Sequence, residues 1–119
     1  MENKKKVLVV VLANTETHEG KGRVTNALMM VRELQEANHE VKLLFDGAGV
    51  ESFAEMKDED NEFHDMYKKV EHNVAGGCSF CAQAFGVSDD LDDDDLLSEY
   101  HEHQSFAKYV KDGYQIVNF

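Results

Sequence analysis

The first part of the chain has the hydrophobic pattern of a strand, a helix and a second strand. Residues 7–12 form a continuous, mostly β-branched apolar run, which is typical of a strand covered on both faces. Residues 14–22 carry turn formers and two glycines and predict a loop. From residue 23 to residue 37 apolar side chains recur every three or four positions, which predicts an amphipathic helix, and residues 41–45 form the next apolar run. This order favours two parallel strands joined by a right-handed crossover.

The rest of the chain continues the alternation with shorter elements. Gly86 and Gly113 each follow an apolar, helix-like segment, as expected for the left-handed residue after a helix end. The pattern predicts an α/β fold with an open, mostly parallel sheet of four to five strands and helices on both faces, in a single domain over residues 1–119. The predicted elements are a turn at 46–49, helices at 50–56, 63–72 and 79–85, a strand at 74–77, a helix through Phe106, Tyr109 and Val110, and a last strand at 114–119.

Charge and hydropathy exclude several classes of partner. The net charge is −12 at pH 7, so the chain lacks the basic face that binding to nucleic acid or to an anionic membrane requires. No apolar run approaches the roughly 20 residues that span a bilayer. The basic and apolar start superficially resembles a signal peptide, but no small-residue cleavage site follows it. We therefore expect a cytoplasmic protein whose two cysteines are kept reduced.

The two cysteines lie in a Cys-x-x-Cys segment directly after two glycines. Cys78 is predicted to open a helix, where backbone N–H groups and the helix dipole would stabilise an exposed, nucleophilic thiolate. Cys81, three residues later, lies on the same side of that helix and is placed to resolve a persulfide or mixed disulfide on Cys78. The alternative is that both are small buried hydrophobic residues. We take Cys78 and Cys81 as the candidate catalytic residues.

Three groups of residues are expected to meet at the carboxyl ends of the parallel strands, where open α/β sheets bind ligands. They are the loop 14–22, the turn 46–49 and the corner formed by Gly76, Gly77 and Cys78. Lys21 or Arg23, in or next to the first loop, is the expected partner of a thiolate. The loop 14–22 does not match a dinucleotide or phosphate motif, so no cofactor is predicted.

Thioredoxin-like and zinc-binding motifs also use paired cysteines, but this chain departs from both. A thioredoxin-like motif would follow the first strand and face a cis-proline, whereas this chain contains no proline. A zinc site needs two further ligands, and His72 and the pair His101 and His103 lack the usual spacing. No metal is therefore predicted. The run 89–95 also lacks the glycine and glutamate of a calcium loop and is expected to be a solvated acidic loop.

Taken together, these segments resemble the DsrE/DsrF-like family of sulfur-relay proteins. The resemblance covers nearly the whole chain and is carried by four segments: the first strand–helix unit ending in Asn-His-Glu-Val, Leu-Phe-Asp-Gly-Ala-Gly-Val at 44–50, Cys-Ser-Phe-Cys-Ala-Gln-Ala-Phe-Gly-Val at 78–87, and the ending at 111–119. It implies a flavodoxin-like three-layer α/β/α fold and a homo-oligomer, a trimer or hexamer.

For relay members the resemblance also implies a cysteine that carries sulfur as a persulfide, with donor and acceptor proteins as partners. Counting back from Gly86 and Val87, that cysteine is Cys78. The relay subunits have a single cysteine, so the presence of Cys81 is a departure from them. Cys81 is expected to assist the release of sulfur from Cys78. A non-catalytic oligomeric binding protein and a thiol–disulfide redox protein using Cys78 and Cys81 remain the alternatives.

Overall fold

Five parallel strands form one sheet with the spatial order β4-β3-β2-β1-β5 in the computed structural model, which describes residues 3–119. Every strand pair is parallel, and the α/β fold with a mostly parallel sheet of four to five strands, predicted from the sequence, is confirmed. The strands are β1 (Lys6–Val11), β2 (Glu40–Phe45), β3 (Val74–Cys78), β4 (Leu96–Leu97) and β5 (Gln115–Asn118). The helices are α1 (His18–Glu36), α2 (Gly49–Met56), α3 (His64–Lys68), α4 (Ser79–Ala84) and α5 (Ala107–Lys111).

The central strand β1 supplies side chains to two hydrophobic cores. Successive residues of a strand point to opposite faces. Val7, Val9 and Val11 accordingly belong to the larger cluster, whereas Leu8 and Val10 belong to the smaller one. Both sets are buried, which explains why the segment is apolar throughout.

The two faces of the sheet are covered unequally. From β1 to β4 each connection moves one position in the same direction across the sheet, so right-handed crossovers place α1 to α4 on one face. The connection from β4 to β5 returns past β1 and places α5 on the other face, where Tyr109 and Tyr114 cover Leu8 and Val10. Helices lie on both faces as predicted, but the second layer is thin.

The start of α1 differs from the prediction, because the helix begins at His18 and includes most of the predicted loop 14–22. Thr17 is the N-cap, and its hydroxyl accepts a 2.9 Å hydrogen bond from the Gly20 amide. Gly20 is required by packing: a Cβ at this position would lie 2.1 Å from the Asn14 carbonyl oxygen. Gly20 therefore allows the start of α1 to lie close to the Asn14 backbone, and it does not indicate a flexible loop.

The acidic run 89–95 is more ordered than a solvated loop. It forms two 3₁₀ turns that lead into the edge strand β4. Lys57, which directly follows α2, lies 2.5 Å from Asp95 and 3.8 Å from Asp92. The lysine offsets part of the acidic charge and joins the run to the end of α2. Within residues 3–119, no helix is both long enough and apolar enough to cross a membrane.

Candidate functional site

Four side chains with chemically reactive or metal-binding atoms meet at the carboxyl end of the sheet. They are Asp46, Cys78, Cys81 and His103, which we call the cysteine cluster, and their ligand atoms all lie within 4.8 Å of one another. Asp46 follows β2, Cys78 ends β3, Cys81 lies on α4, and His103 lies between β4 and α5. The cluster therefore lies at the sheet edge where the sequence predicted a site.

The pairing of β2 with β3 brings Asp46 next to Cys78. Phe45, the last residue of β2, is in register with Gly77, so the residues that follow each lie side by side. Gly77 permits tight packing, because a Cβ there would lie 3.0 Å from the Phe53 ring. Gly76 has φ of +142° and lies against the chain at Asp95, which no residue with a side chain could reproduce without strain.

Cys78 is completely buried, which contradicts the expected exposed thiolate. Its exposed fraction is 0%, and its side chain belongs to the larger hydrophobic core. Cys78 is indeed the N-cap of α4, as predicted, but its side chain makes no capping hydrogen bond and the helix has only six residues. The predicted helix start is therefore correct for the backbone, whereas the predicted exposure of the sulfur is wrong.

Cys81 is the more accessible thiol and is held in its protonated form. Its exposed fraction is 8%, and its Sγ donates a 3.1 Å hydrogen bond to Oδ1 of Asp46. Burial, followed by this hydrogen bond to Asp46, raises the pKa of the Cys81 thiol to about 12. The Asp46 carboxylate is thus the immediate acceptor for the thiol proton.

His103 faces the cluster with its ring nitrogen Nε2, and the contact made by Nδ1 shows which nitrogen carries the proton. Its Nδ1 lies 2.7 Å from the backbone carbonyl oxygen of Gln104, and a carbonyl can only accept, so Nδ1 carries the proton. In the neutral ring Nε2 is then left with a free lone pair. This Nε2 lies 3.8 Å from Cys81 Sγ and 3.3 Å from Asp46 Oδ1.

Asp46 is fixed by two further hydrogen bonds. The Gly47 amide donates to Oδ1 at 2.7 Å, and the side-chain amide of Gln104 donates to Oδ2 at 2.9 Å. Gln104 is 1% exposed. The sequence alone does not reveal Gln104, and it does not separate His103 from His101, because neither spacing nor local pattern distinguishes these residues.

The segment 98–106 covers the cluster and carries His103. The Phe80 amide donates a 2.9 Å hydrogen bond to the Glu102 carbonyl, and Tyr100 and His103 exchange two backbone hydrogen bonds. His101 and Glu102 have φ of +49° and +68°, a left-handed conformation that is uncommon for residues other than glycine. The cover is thus a tight, strained turn.

A cavity of about 510 Å³ lies next to this cover. Its wall is formed mainly by aromatic rings, and its polar lining includes two residues of the site, His103 and Gln104. Its volume falls within the range of about 300–1,000 Å³ that is typical of small-molecule sites. The other lining residues include Phe80, Tyr100, His101 and Phe106.

The basic residues expected beside the cysteines have other partners. Lys21 forms a 3.0 Å ion pair with Glu62, and Arg23 forms a 2.7 Å ion pair with Glu19 on α1. The chain after β1 packs on α2 instead, where Ser52 donates to the Ala13 carbonyl at 2.7 Å. The prediction that Lys21 or Arg23 stabilises a thiolate is therefore wrong.

Comparisons with known proteins agree with this architecture. The sequence model of the DsrE/DsrF-like family matches residues 5–119. An uncharacterized protein of Methanocaldococcus jannaschii is 27% identical over 93 residues, which cover 77% of this chain and 76% of that protein.

Three solved structures share the fold. A protein of unknown function from Methanobacterium thermoautotrophicum has a TM-score of 0.68 at 17% identity, covering 98% of this chain and 100% of that one. The ychN protein from E. coli has a TM-score of 0.65 at 21% identity, covering 98% and 99% of the two chains. A conserved protein of unknown function from Bacteroides thetaiotaomicron has a TM-score of 0.66 at 16% identity, covering 96% and 95%.

Proposed function

The chain belongs to the DsrE/DsrF-like family, and from this premise we propose that it transfers sulfane sulfur through a persulfide on Cys78, with Cys81 assisting release. The observation that carries the proposal is the placement of two thiols within 4.8 Å of each other, beside a carboxylate and an imidazole. Two neighbouring thiols with a proton acceptor beside them are suited to loading and unloading a sulfur atom.

Loading is a thiol exchange with a donor persulfide. The Cys78 thiolate attacks the outer sulfur of the donor, a new S–S bond forms on Cys78, and the donor leaves as its own thiolate. No oxidant is needed, because the sulfane sulfur moves with its oxidation state unchanged. Only Cys78, the donor and one acceptor for the Cys78 proton take part, and that acceptor is Asp46 or His103, whose ligand atoms lie within 4.8 Å of the Cys78 sulfur.

Release uses the second cysteine. The Cys81 thiolate attacks Sγ of the Cys78 persulfide, the outer sulfur leaves as sulfide, and a Cys78–Cys81 disulfide remains. Two electrons from an external dithiol then restore both thiols. When the acceptor is itself a thiolate, it takes the outer sulfur directly and no disulfide forms.

Asp46 and His103 supply the proton transfer that this chemistry needs. Asp46 Oδ1 accepts the Cys81 hydrogen bond at 3.1 Å, and it takes the proton once opening of the cover relieves the burial that chiefly raises the pKa of this thiol. His103 Nε2 lies 3.8 Å from the same sulfur and is the second acceptor for this proton. Since no lysine or arginine among the described residues is paired with these thiols, activation depends on proton acceptance and not on a fixed positive charge.

Access to the thiols requires the segment 98–106 to move. Cys78 is fully buried and Cys81 nearly so, and the cavity bounded by Phe80 and Tyr100 is the adjoining opening. The left-handed residues His101 and Glu102 lie within this segment, where backbone strain lowers the cost of opening. The donor is therefore expected to approach through the aromatic cavity.

The test is to incubate reduced protein with a low-molecular-weight persulfide donor and to record the intact mass. We expect the wild type to gain one sulfur atom, Cys78→Ser to gain none, and Cys81→Ser to gain one and keep it longer. The double variant is the matched control, since the chain has only two cysteines. Circular dichroism shows whether each variant is folded.

Different outcomes favour the alternatives. A wild type that gains no sulfur, and whose thiols resist alkylation until it unfolds, would be a non-catalytic binding protein. A protein that gains no sulfur but loses two hydrogen masses reversibly with a thiol–disulfide buffer would be a redox protein. Either result overturns sulfur transfer.

The proposal includes a cytoplasmic location and a homo-oligomer, a trimer or hexamer, working with donor and acceptor proteins. Several large apolar side chains are exposed, among them Tyr100, which lines the cavity, and Val110 on α5, each 63% exposed. Assembly of copies of this chain would cover them. Sedimentation of the wild type and of Val110→Asp tests this: a trimer or hexamer that the substitution dissociates is expected, and a monomeric wild type would contradict it.

A further inference from the structure

The cysteine cluster has a donor set that the persulfide chemistry does not require. Four side chains, from three segments of the chain, bring two sulfurs, one imidazole nitrogen and one carboxylate oxygen within 4.8 Å of one another. Sulfur transfer needs the two thiols and a proton acceptor. It does not need all four donor atoms around one point.

We propose that Asp46, Cys78, Cys81 and His103 bind one Zn²⁺ ion in a closed four-ligand site. In tetrahedral zinc the bonds are about 2.0–2.3 Å long, so neighbouring ligand atoms lie roughly 3.3–3.8 Å apart. Asp46 Oδ1 lies 3.1 Å from Cys81 Sγ, and His103 Nε2 lies 3.3 Å from Asp46 Oδ1 and 3.8 Å from Cys81 Sγ. These three separations need changes of only a few tenths of an ångström to fit the ion, whereas Cys78 Sγ, which lies within 4.8 Å of the other ligand atoms, must approach them by on the order of 1 Å at most.

The types of donor select the metal. Two thiolates and an imidazole favour a borderline or soft ion in tetrahedral geometry, whereas Mg²⁺ and Ca²⁺ prefer oxygen ligands alone and higher coordination numbers. Asp46 is the one oxygen donor in the set. The set is therefore suited to Zn²⁺ and to its spectroscopic substitute Co²⁺.

The outer contacts already orient the ligands for a metal. His103 donates its Nδ1 proton to the Gln104 carbonyl, which leaves the Nε2 lone pair towards the cluster. The side-chain amide of Gln104 donates to Oδ2 of Asp46, so that Oδ1 faces the sulfurs. A backbone carbonyl behind the histidine and an amide behind the carboxylate are the usual supports of metal ligands.

The negative charge of the buried Asp46 carboxylate also supports a bound Zn²⁺ ion. Asp46 is 5% exposed, and within residues 3–119 the only basic side chain at ion-pair distance from it is His103. A buried carboxylate without a cation is costly. Zn²⁺ supplies two positive charges at the centre of the cluster and offsets most of the negative charge of the carboxylate and the two thiolates, which leaves the site with a single negative charge.

The test is titration of the reduced, chelator-treated full-length protein with Co²⁺, followed by displacement with Zn²⁺. We expect one Co²⁺ per chain, a near-ultraviolet sulfur-to-metal charge-transfer band and strong visible bands typical of tetrahedral cobalt, all lost on adding Zn²⁺. His103→Ala and Asp46→Asn should weaken binding by more than the roughly 10–100-fold typical of losing an outer-sphere partner. His101→Ala is the matched control, and its affinity should equal that of the wild type.

Three results would overturn the proposal: no charge-transfer band with the wild type, one metal shared between two chains, or equal weakening by His101→Ala and His103→Ala. If a variant fails to fold, the unfolding temperature of the wild type still tests the proposal. A bound ion must stabilise the folded chain, so this temperature should rise when Zn²⁺ is added, and no rise would contradict the site. The titration contains no sulfur donor, so its failure is separate from failure of sulfur transfer. If both succeed, Zn²⁺ should block sulfur uptake, because it occupies both thiols.

Discussion

The side-chain amide of Gln104 donates a 2.9 Å hydrogen bond to Oδ2 of Asp46 from a position that is 1% exposed. This bond joins the segment between β4 and α5 to the turn after β2. It holds Asp46 towards the sulfurs and holds His103, the preceding residue, over them. Gln104 is therefore a positioning residue for the cysteine cluster.

Replacing Gln104 with leucine should lower the free energy of unfolding by about 1–3 kcal/mol, since it leaves a buried carboxylate oxygen without its donor. Urea unfolding measures this, with Gln83→Leu on the exposed face of α4 as the control, which should change stability by less than about 0.5 kcal/mol. Cobalt affinity should also fall roughly 10–100-fold in Gln104→Leu, a readout that a merely structural residue would not move. An unchanged affinity would contradict the positioning role.

The two cysteines should differ in their rate of alkylation in the native state. Cys81 is 8% exposed and Cys78 is 0% exposed, so Cys81 should be labelled first, once opening of the cover relieves the burial that chiefly raises the pKa of its thiol. Both should react at least about tenfold more slowly than in urea, because labelling requires local opening of the cover. Peptide mapping after timed exposure to iodoacetamide, with a chelator present to remove metal, gives the order. Faster labelling of Cys78 would show that exposure in the folded chain does not set the order.

Two glycines in α1 should respond to alanine in opposite directions. At Gly20 a Cβ would meet the Asn14 carbonyl oxygen at 2.1 Å, so Gly20→Ala should destabilise the fold by about 2 kcal/mol or more. At Gly22 a Cβ would meet nothing within 4 Å, so Gly22→Ala should stabilise it by about 0.5–1 kcal/mol through helix propensity. Urea unfolding of the pair tests both, and effects of the same sign would contradict the close approach at Gly20.

Stability should depend on pH through the pair formed by Tyr114 and Glu40, whose carboxylate accepts the tyrosine hydroxyl. This hydrogen bond, chiefly, lowers the pKa of Glu40, so its contribution is present above the usual value of 4.5 and is lost as the pH falls below it. Burial, then Glu40, raises the pKa of Tyr114, whose contribution is present below the usual value of 10.0 and lost in strong alkali. Tyr114→Phe should therefore cost about 1 kcal/mol at neutral pH and little in acid.

The control for this substitution is Tyr100→Phe, because Tyr100 is 63% exposed. It should leave the free energy of unfolding within about 0.5 kcal/mol of the wild type at either pH. Guanidinium unfolding at neutral and acidic pH measures both variants. A Tyr114→Phe deficit that is equally large in acid would mean that lost packing, and not the hydrogen bond, is responsible.

Local sequence determined most of the elements of this fold, although it placed the start of α1 too late and did not mark β4 as a strand. The apolar run at the start of the chain, the helical spacing after it and the left-handed glycines Gly86 and Gly113, with φ of +74° and +85°, follow from neighbouring residues alone. Such patterns depend on the geometry of one strand or one helix, which a few adjacent residues fix. Alternation of strands and helices then led to the parallel sheet and to the edge where the site lies.

Only the tertiary structure decided which side chains meet at that edge and what state the sulfurs have. Asp46, His103 and Gln104 approach the cysteines through the register of β2 with β3 and through the path of the segment 98–106, and neither is encoded in local spacing. The helix start predicted an exposed anion at Cys78, but packing of the whole core buried it. Burial and convergence depend on contacts between residues far apart in the chain, so the sequence pattern located the cysteines while the fold determined their chemistry.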